Sequence, residues 1–430
     1  MSMNKKEYEL LNETVYTKVL PNGLTVILLP KKEYSKTYAI FSTKYGSIDD
    51  TFIPLNKKEK VTVPKGIAHF LEHKLFEKEG YDVFSKFSEF GASANAFTSF
   101  TKTAYLFSAS DNISENIETL IDFVQEPYFS DESVEKEKGI IEQEIKMYDD
   151  NPGWQSFTGT VQALFHNYPI IHDIAGTVDS IMQITKDDLY TCYDTFYHPQ
   201  NMVLFVAGPI DEEKIMTLIE NNQADKSFEE QHPIERFFPE EREDVAIKNH
   251  TIHMPVSIPK CTVGIKEIWQ RTSSKDLLEK EILLRLTLDY LFAKGGKFYE
   301  ILYEEDLIDS SFSYSSTLET DYGYTFIGGN CVNPDKFAER TKELLLSTKQ
   351  MKISAEDVNL IKKRRIGLLL RQMNSLEFVA NQFVDYHLLD IDFFTMIHEV
   401  ESMTVEQVNA FLNEWISEER IAICKIVNND

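Results

Sequence analysis

The amino-acid sequence predicts an α+β fold divided into two domains of similar size. Segments in which apolar and polar residues alternate, as in strands, are intermixed with segments that have the apolar spacing of helices. The length of 430 residues is long for one compact core and suits two domains of about 200 residues. A polar, charged segment interrupted by prolines lies near the middle. We therefore expect domains at residues 1–220 and 249–430, joined by a linker at residues 221–248.

In the first domain, the predicted strands and helices follow one another irregularly, as is typical of an α+β fold. The segment LPNGL at residues 20–24 predicts a turn between the first two strands. Further strands are predicted at residues 37–49, 92–98 and 103–109, with a last strand that ends at Gly208. Helices are predicted to dominate residues 66–89 and to occupy residues 113–125, 133–150 and 186–197.

A similar succession of elements is predicted for the second domain. The sequence predicts strands at residues 250–255 and 261–266, a long helix at 275–292, a hairpin within 312–330, and then helices. No close residue repeat relates the two halves, so spacing alone does not establish a duplication.

The charge and the cysteines exclude several functional classes. The chain has 70 acidic and 44 basic residues, a net charge of −26, which argues against a nucleic-acid partner. It has no apolar run of about 18 residues, so no transmembrane helix is expected. The first residues lack the apolar stretch of a signal peptide, and the four cysteines are scattered without a C-x-x-C pair. We therefore expect a cytoplasmic protein without a cysteine zinc site.

The most informative stretch is HFLEH at residues 69–73. Residues four apart on a helix share a face, so His69 and His73 can offer nitrogen atoms to one metal ion while Glu72 stands beside it. This arrangement is a zinc hydrolase signature, in which a carboxylate takes the proton of a metal-activated water. The alternative is an ordinary helix with two unrelated histidines. An apolar stripe at Ala68, Leu71 and Leu75 favours the metal interpretation, because it separates a core face from a metal face.

Zinc needs a third protein ligand, and a carboxylate on the helix predicted at residues 133–150 is a candidate. Glu137 and Glu144 lie seven residues apart, on one face of that helix. The other glutamates there are typical of a solvated surface. Composition alone does not identify the ligand.

Several motifs together resemble the inverzincin metallopeptidases of the pitrilysin, insulysin and mitochondrial processing peptidase family. Besides the histidine motif, the matching segments are GASANAFT at residues 91–98, TAY at 103–105, and FYHPQNM at 196–202 running into VLFVAG at 203–208. The resemblance extends over essentially the whole chain and is strongest up to about residue 210. The arrangement is most similar to bacterial half-length members, which work as dimers.

The resemblance implies a site and an architecture. It implies one Zn²⁺ per chain, held by His69, His73 and Glu144, with Glu72 as general base and then proton donor to the leaving amine, and with Glu137 orienting the neighbouring groups. It also implies two homologous α/β-sandwich domains, each an antiparallel-rich sheet with helices packed on it, forming half of a clamshell. The second domain would be a degenerate copy without zinc.

The segment around Asn95 is a candidate for substrate binding. An edge strand has free backbone N–H and C=O groups to which an extended peptide can add as a further strand. The resemblance implies that Asn95, Ala96 and Phe97 hold peptides in this way. The alternative is a plain interior strand.

One departure from the family pattern concerns the groups that stabilise the oxyanion. Active members of the family supply an arginine and a tyrosine from the second domain, but here Tyr303 falls at the arginine position and Asp309 or Ser310 at the tyrosine position. We therefore expect a paralogous, zinc-less subunit to supply both groups in a heterodimer. A homodimer or a monomer that uses other donors is the alternative.

Taken together, these features predict a zinc-dependent endopeptidase that hydrolyses peptides or unfolded segments inside a closed chamber, as the catalytic subunit of a heterodimer. The alternative is a non-catalytic scaffold or partner-binding subunit of the same fold. Relatives with that role usually lose metal ligands, whereas this chain keeps His69, His73 and Glu144. A zinc enzyme for a non-peptide substrate is disfavoured by the match in the peptide-binding strand.

Overall fold

A computed structural model describes residues 3–55, 57–230, 232–268 and 273–428 and confirms the predicted α+β class. The strands are β1 Asn4–Tyr8, β2 Glu13–Val19, β3 Thr25–Pro30, β4 Thr37–Thr43, β5 Thr51–Phe52, β6 Val61–Thr62, β7 Glu77–Lys78, β8 Tyr81–Asp82, β9 Ser93–Thr98, β10 Thr103–Ala109, β11 Met202–Gly208, β12 Asn249–His253, β13 Lys260–Lys266, β14 Ser313–Leu318, β15 Gly323–Asn330 and β16 Ile421–Val427. The helices are α1 Ile67–Leu75, α2 Val83–Glu89, α3 Ile113–Gln125, α4 Asp131–Asp149, α5 Pro152–Leu164, α6 Val178–Ile181, α7 Lys186–Phe196, α8 Glu212–Ala224, α9 Ser274–Phe292, α10 Lys297–Glu304, α11 Pro334–Ser347, α12 Ala355–Gln372, α13 Leu376–Leu388, α14 Met396–Ser402 and α15 Val405–Trp415. No described helix has the length and apolar content needed to cross a membrane.

The chain forms two compact units. The first comprises the described residues of Met1–Ile145, His172–Phe238 and Met373–Leu388, and the second those of Lys146–Ile171, Pro239–Gln372 and Leu389–Asp430. The first unit thus includes α13 from late in the chain, and the second includes α5 from early in the chain. The change of unit after Phe238 lies inside the segment predicted as a linker. The predicted domain limits at residues 220 and 248 stay a prediction.

The first unit is built on a seven-stranded sheet in the order β1-β2-β3-β11-β4-β10-β9. Strands β3 and β11 run parallel, and the other neighbouring pairs are antiparallel. Every residue of β4 and of β11 is buried. Helix α13 packs on these two strands, and α3 packs on β4 and β10. This helix cover explains why these strands are buried throughout instead of alternating between buried and exposed residues.

The second unit is built on a five-stranded sheet in the order β12-β16-β13-β15-β14. This order matches that of five neighbouring strands of the first sheet, β3-β11-β4-β10-β9. In both sets of five strands, a parallel pair lies at one end and an antiparallel hairpin at the other. Helix α5 packs on β16, β13 and β12, and α11 packs on β13. The duplication of the two sheets is therefore visible in their topology, although the residues do not repeat.

Three local features were not predicted from the sequence. Helices α1 and α2 dominate residues 66–89 as expected, but β7 and β8 pair between them around a turn at Gly80, which has φ +83°. The segment NPG at residues 151–153 ends one helix but also begins another, since Asn151 accepts hydrogen bonds from the N–H groups of Gly153 and Trp154 at the start of α5. Helix α8 was not predicted and extends into the expected linker as far as Ala224.

Candidate metal centre and active site

Helix α1 presents the histidine motif from a buried position in the first unit. It begins after Gly66, whose φ of +86° and whose approach to Ala175 leave no room for a side chain: a Cβ atom there would lie 2.3 Å from the Ala175 carbonyl oxygen. The apolar residues of the helix, Ile67, Ala68, Phe70, Leu71 and Leu75, are buried in the core of the unit. The one-turn spacing of His69 and His73 then places both imidazoles on the same side of the helix.

The structure brings His69 and His73 together with Glu144 from α4, and we call this group the His–His–Glu cluster. One candidate ligand atom from each residue lies within 4.8 Å of the others. The Nε2 atom of His69 is 3.6 Å from Oε1 of Glu144, and Nε2 of His73 is 3.5 Å from Oε2. In the described ranges, no other group of three histidine, cysteine, aspartate or glutamate side chains converges in this way.

The geometry of the cluster fits a zinc ion. The distances of 3.5 and 3.6 Å exceed those of ordinary hydrogen bonds, so the groups face one another without bonding directly. Two ligands held about 2.0–2.1 Å from a tetrahedral zinc ion lie about 3.3 Å apart, close to these separations. Two imidazoles and a carboxylate are also a typical donor set for a catalytic zinc site with one open position.

Glu137 lies behind His73, on the same helix face as Glu144. Its Oε1 is 3.0 Å from Nδ1 of His73, so the imidazole is held through one nitrogen while the other faces the cluster. Helix α4 can hold both glutamates in place because Val134, Ile141 and Ile145 on the same helix are buried in the core. By contrast, Nδ1 of His69 is buried without a hydrogen-bond partner among the described residues, so packing alone orients that ring.

Burial and neighbouring charges set the pKa values of the site. Burial, with a smaller contribution from His73, lowers the pKa of His69 to about 3, so His69 is neutral and its nitrogen lone pair is available. Burial raises the pKa of Glu72 to about 7, although Thr98 and His73 oppose the shift. Burial alone would lower the pKa of His73, but the hydrogen bond with Glu137 and the nearby carboxylates raise it overall.

Thr98 is a site residue that sequence reasoning did not single out. Its hydroxyl donates a 2.6 Å hydrogen bond to Oε2 of Glu72, which is 7% exposed. The signal was present in the segment NAFT at residues 95–98, because strand alternation places Thr98 on the same face as Ala96. What the sequence could not reveal is that helix α1 packs on that face.

Strand β9 lies at the edge of the seven-stranded sheet, so the alternative of an interior strand is wrong. Oδ1 of Asn95 accepts the backbone N–H of Ala96 at 2.9 Å, so a side chain covers this backbone donor. The ring of Phe97 lies 5.0 Å from Nζ of Lys102, which forms an ion pair with Asp385 of α13. The predicted substrate-binding residues are thus on an accessible strand edge, and their role in peptide binding stays a prediction.

The residues at the predicted oxyanion positions belong to the second unit. Tyr303 on α10 is 59% exposed and stacks on Tyr299 with ring centroids 6.1 Å apart. Asp309 and Ser310 follow α10 on the surface, and Asp309 accepts hydrogen bonds from Ser311. None of these three side chains supplies an arginine guanidinium.

Two family models match the chain. The model described as "Insulinase (Peptidase family M16)" matches residues 61–177, which include the whole His–His–Glu cluster and β9. The model described as "Peptidase M16 inactive domain" matches residues 183–365, which include the second-unit strands from β12 to β15.

Similar proteins and structures cover the chain from end to end. A Bacillus subtilis protein named "Uncharacterized zinc protease YmfH" is 50% identical over 98% of both chains. The crystal structure of an M16-like peptidase from Alicyclobacillus acidocaldarius is 39% identical, with a TM-score of 0.92 over 100% of this chain and 99% of that one. The periplasmic protease PqqL from Escherichia coli shares the fold, with a TM-score of 0.73 and 20% identity, and this chain spans 48% of it. The chain therefore belongs to the insulinase family of peptidases, family M16, as a half-size member of the bacterial type.

Proposed function

We propose that this protein is a zinc-dependent endopeptidase whose metal is held by His69, His73 and Glu144. The observation that carries the proposal is the convergence of these three side chains at separations that suit one tetrahedral ion. Membership of a peptidase family and the zinc protease names of the relatives support the same chemistry. We propose one zinc ion per chain, because the described residues hold one such cluster.

A zinc ion bound there would supply Lewis-acid activation of a water molecule and of the scissile carbonyl. In this proposal Glu72 takes a proton from the attacking water as its oxygen bonds to the carbonyl carbon. Glu72 then gives that proton to the amine nitrogen as the C–N bond breaks. The buried position of Glu72, 7% exposed beside His73 and Glu144, suits a base that works away from bulk solvent. Glu137 would keep the His73 imidazole oriented by the bond to its Nδ1.

Peptides or unfolded segments are the substrates we propose, bound as an additional strand along β9. The edge position of β9 supports this, because strand addition needs free backbone groups. Asn95, Ala96 and Phe97 would provide the contacts. Peptide addition would compete with the Asn95 side chain for the N–H of Ala96. Recognition through the backbone tolerates many side-chain sequences.

We further propose that a paralogous, zinc-less subunit completes the active site in a heterodimer. The support is a missing pair of donors: Tyr303 and Asp309 or Ser310 stand where active members of the family have arginine and tyrosine. The test is cleavage of quenched fluorogenic peptides by the purified chain alone, and after mixing with a zinc-less paralogue from the same genome. Strong stimulation by the paralogue supports the heterodimer, whereas full activity of the isolated chain contradicts it.

A second candidate is a non-catalytic scaffold of the same fold, favoured by the description of the model that matches residues 183–365 as an inactive domain. That description applies to the part of the chain without the histidine motif.

We propose the cytoplasm as the compartment, which is consistent with four buried cysteines that form no disulfide.

Zinc content separates the peptidase from the scaffold. We expect about one zinc ion per wild-type chain by elemental mass spectrometry and loss of that zinc in His69→Ala. The control is His398→Ala, which removes an exposed histidine on α14 and should keep the metal. Glu72→Gln should also keep zinc but lose turnover. A wild-type chain that takes up no zinc, or a Glu72→Gln variant that cleaves at the normal rate, contradicts the proposal.

A further inference from the structure

The Thr98 hydroxyl donates a hydrogen bond to Oε2 of Glu72 across 2.6 Å. The bond stabilises the ionised carboxylate, the form in which Glu72 accepts a proton, and it opposes the rise in the pKa of Glu72 that burial causes. The next hydroxyl, that of Thr103, lies 3.5 Å from Thr98 and donates its own proton to the carbonyl oxygen of Tyr45 at 2.9 Å. The single proton of Thr98 is therefore directed to Glu72, and charge-assisted bonds of this kind are the strong ones.

The face of β9 that meets helix α1 has small side chains. Ala94, Ala96 and Thr98 alternate onto that face, and both alanines pack against the core of the first unit. Small side chains allow the strand to lie close to α1, which contacts it. Thr98 is the polar member of this row, at the end of β9, and it meets the one carboxylate of the histidine motif.

We propose that Thr98 is a positioning residue, which holds the carboxylate of Glu72 and fixes its distance from the strand edge where the peptide adds. This inference rests on the proposed function, because it takes the roles of Glu72 and β9 from there. A peptide on β9 is placed relative to the backbone of Thr98, and the Thr98 hydroxyl places the base relative to the same backbone. One residue thus sets the register between the scissile bond and its general base.

The conservative variants separate the hydroxyl from the shape of the side chain. Thr98→Val keeps the branched shape and removes the donor, whereas Thr98→Ser keeps the donor. We expect kcat for a quenched fluorogenic peptide, measured for every variant with the zinc-less paralogue present, to fall about tenfold or more in Thr98→Val. The KM should stay within about twofold of wild type, because a misplaced base slows the chemical step. Thr98→Ser should restore most of kcat. All variants should retain zinc.

A matched control tests whether the loss of any buried threonine–glutamate hydrogen bond is enough to lower kcat. In the second unit, the hydroxyl of buried Thr325 donates to Oε1 of Glu267 at 2.8 Å. Thr325→Val removes the same kind of bond far along the chain from the histidine motif, so it should lower the unfolding temperature but leave kcat within about twofold of wild type. A fall in kcat as large as that of Thr98→Val would overturn the proposal, since it would show a general effect of destabilisation.

The double variant tests whether Thr98 acts through Glu72. When Glu72→Gln has already removed the base, adding Thr98→Val should change the residual rate less than about twofold. An undiminished loss in that background, or an effect of Thr98→Val on KM alone, would overturn the inference.

Crystal structures of the zinc-loaded wild type and of Thr98→Val provide a readout without turnover. We expect the Glu72 carboxylate to move while His69, His73 and Glu144 stay in place. An unmoved carboxylate would overturn the inference even if the enzyme is active. Absence of zinc and of cleavage in the wild type would instead refute the proposed function, and the position of Glu72 in the two metal-free structures would still decide the role of Thr98.

Discussion

The Nδ1 atom of His73 lies 3.0 Å from the Oε1 atom of Glu137, a contact that joins helices α1 and α4 directly behind the His–His–Glu cluster. The contact leaves Nε2 as the nitrogen of His73 that faces Glu144. Glu137 and Glu144 are seven residues apart, which is about two turns of α4, so both lie on the same helix face. With this spacing, one carboxylate lies near each nitrogen of the His73 imidazole.

Weakening this contact should lower the affinity for zinc without removing a proposed ligand. In Glu137→Gln the amide holds the imidazole less strongly, so we expect the affinity for zinc to fall about 10–100-fold. Competition with a chromophoric chelator measures the change. Glu132→Gln, an exposed change in the first turn of the same helix, is the control and should bind zinc like the wild type. Equal zinc affinity in Glu137→Gln and wild type would contradict the prediction.

Gly46 lies against the turn that follows β9, and we expect this position to require glycine. A Cβ atom there would lie 2.2 Å from the carbonyl oxygen of Phe100. That oxygen belongs to the backbone, which cannot move aside as the end of a flexible side chain can. We expect Gly46→Ala to lower the free energy of unfolding by about 1–3 kcal/mol through overpacking, measured by urea denaturation. Gly367→Ala on α12, where a Cβ meets nothing within 4 Å, is the control and should be neutral or stabilising. Equal midpoints for both variants would refute the reason given.

Asp385 of α13 should stabilise the hairpin of β9 and β10. It forms an ion pair with Lys102, whose side chain is 8% exposed, whereas that of Asp385 is 41% exposed. Asp385→Asn leaves a buried ammonium without its carboxylate, and after allowance for solvent screening we expect a loss of about 1–2 kcal/mol. Chemical denaturation measures it, with exposed Glu377→Gln on the same helix as the control. No loss relative to the control would show that the pair is not stabilising.

Glu241 should make the stability of the second unit dependent on pH. Its carboxylate accepts three backbone N–H groups, from residues 166–168, at 2.8–2.9 Å and also pairs with buried Lys266. Burial alone would raise the pKa of Glu241, but Lys266 and these N–H groups lower it overall. A lowered pKa adds stability above the unfolded value of about 4.3, and that stability is lost as the pH falls through the folded value.

We therefore expect Glu241→Gln to lower the free energy of unfolding by about 2–4 kcal/mol at neutral pH. Its stability should also decline less steeply than that of the wild type below about pH 4.3. Denaturation midpoints measured from pH 7 to pH 3 check both expectations, with the exposed change Glu243→Gln as the control. Parallel curves for Glu241→Gln and the wild type at low pH would contradict the assignment to this carboxylate.

Part of this molecule could be predicted from the sequence because it depends on local spacing. Helix α3 was predicted with the bounds that the structure has, and the hairpin of β9 and β10 within one residue. The turn near Gly80 and the helix that begins at Pro152 were missed, because a glycine with positive φ and an asparagine cap act over two or three residues inside longer helical patterns.

By itself, the sequence determined the α+β class and the placing of His69 and His73 on one helix face, since both follow from periodicity within a few turns. Only the tertiary structure decided that Glu144 lies across from both imidazoles, that β9 is an edge, and that Thr98 reaches Glu72. These relationships join segments far apart in the chain. They depend on how helices pack on a sheet, and local spacing does not specify that packing.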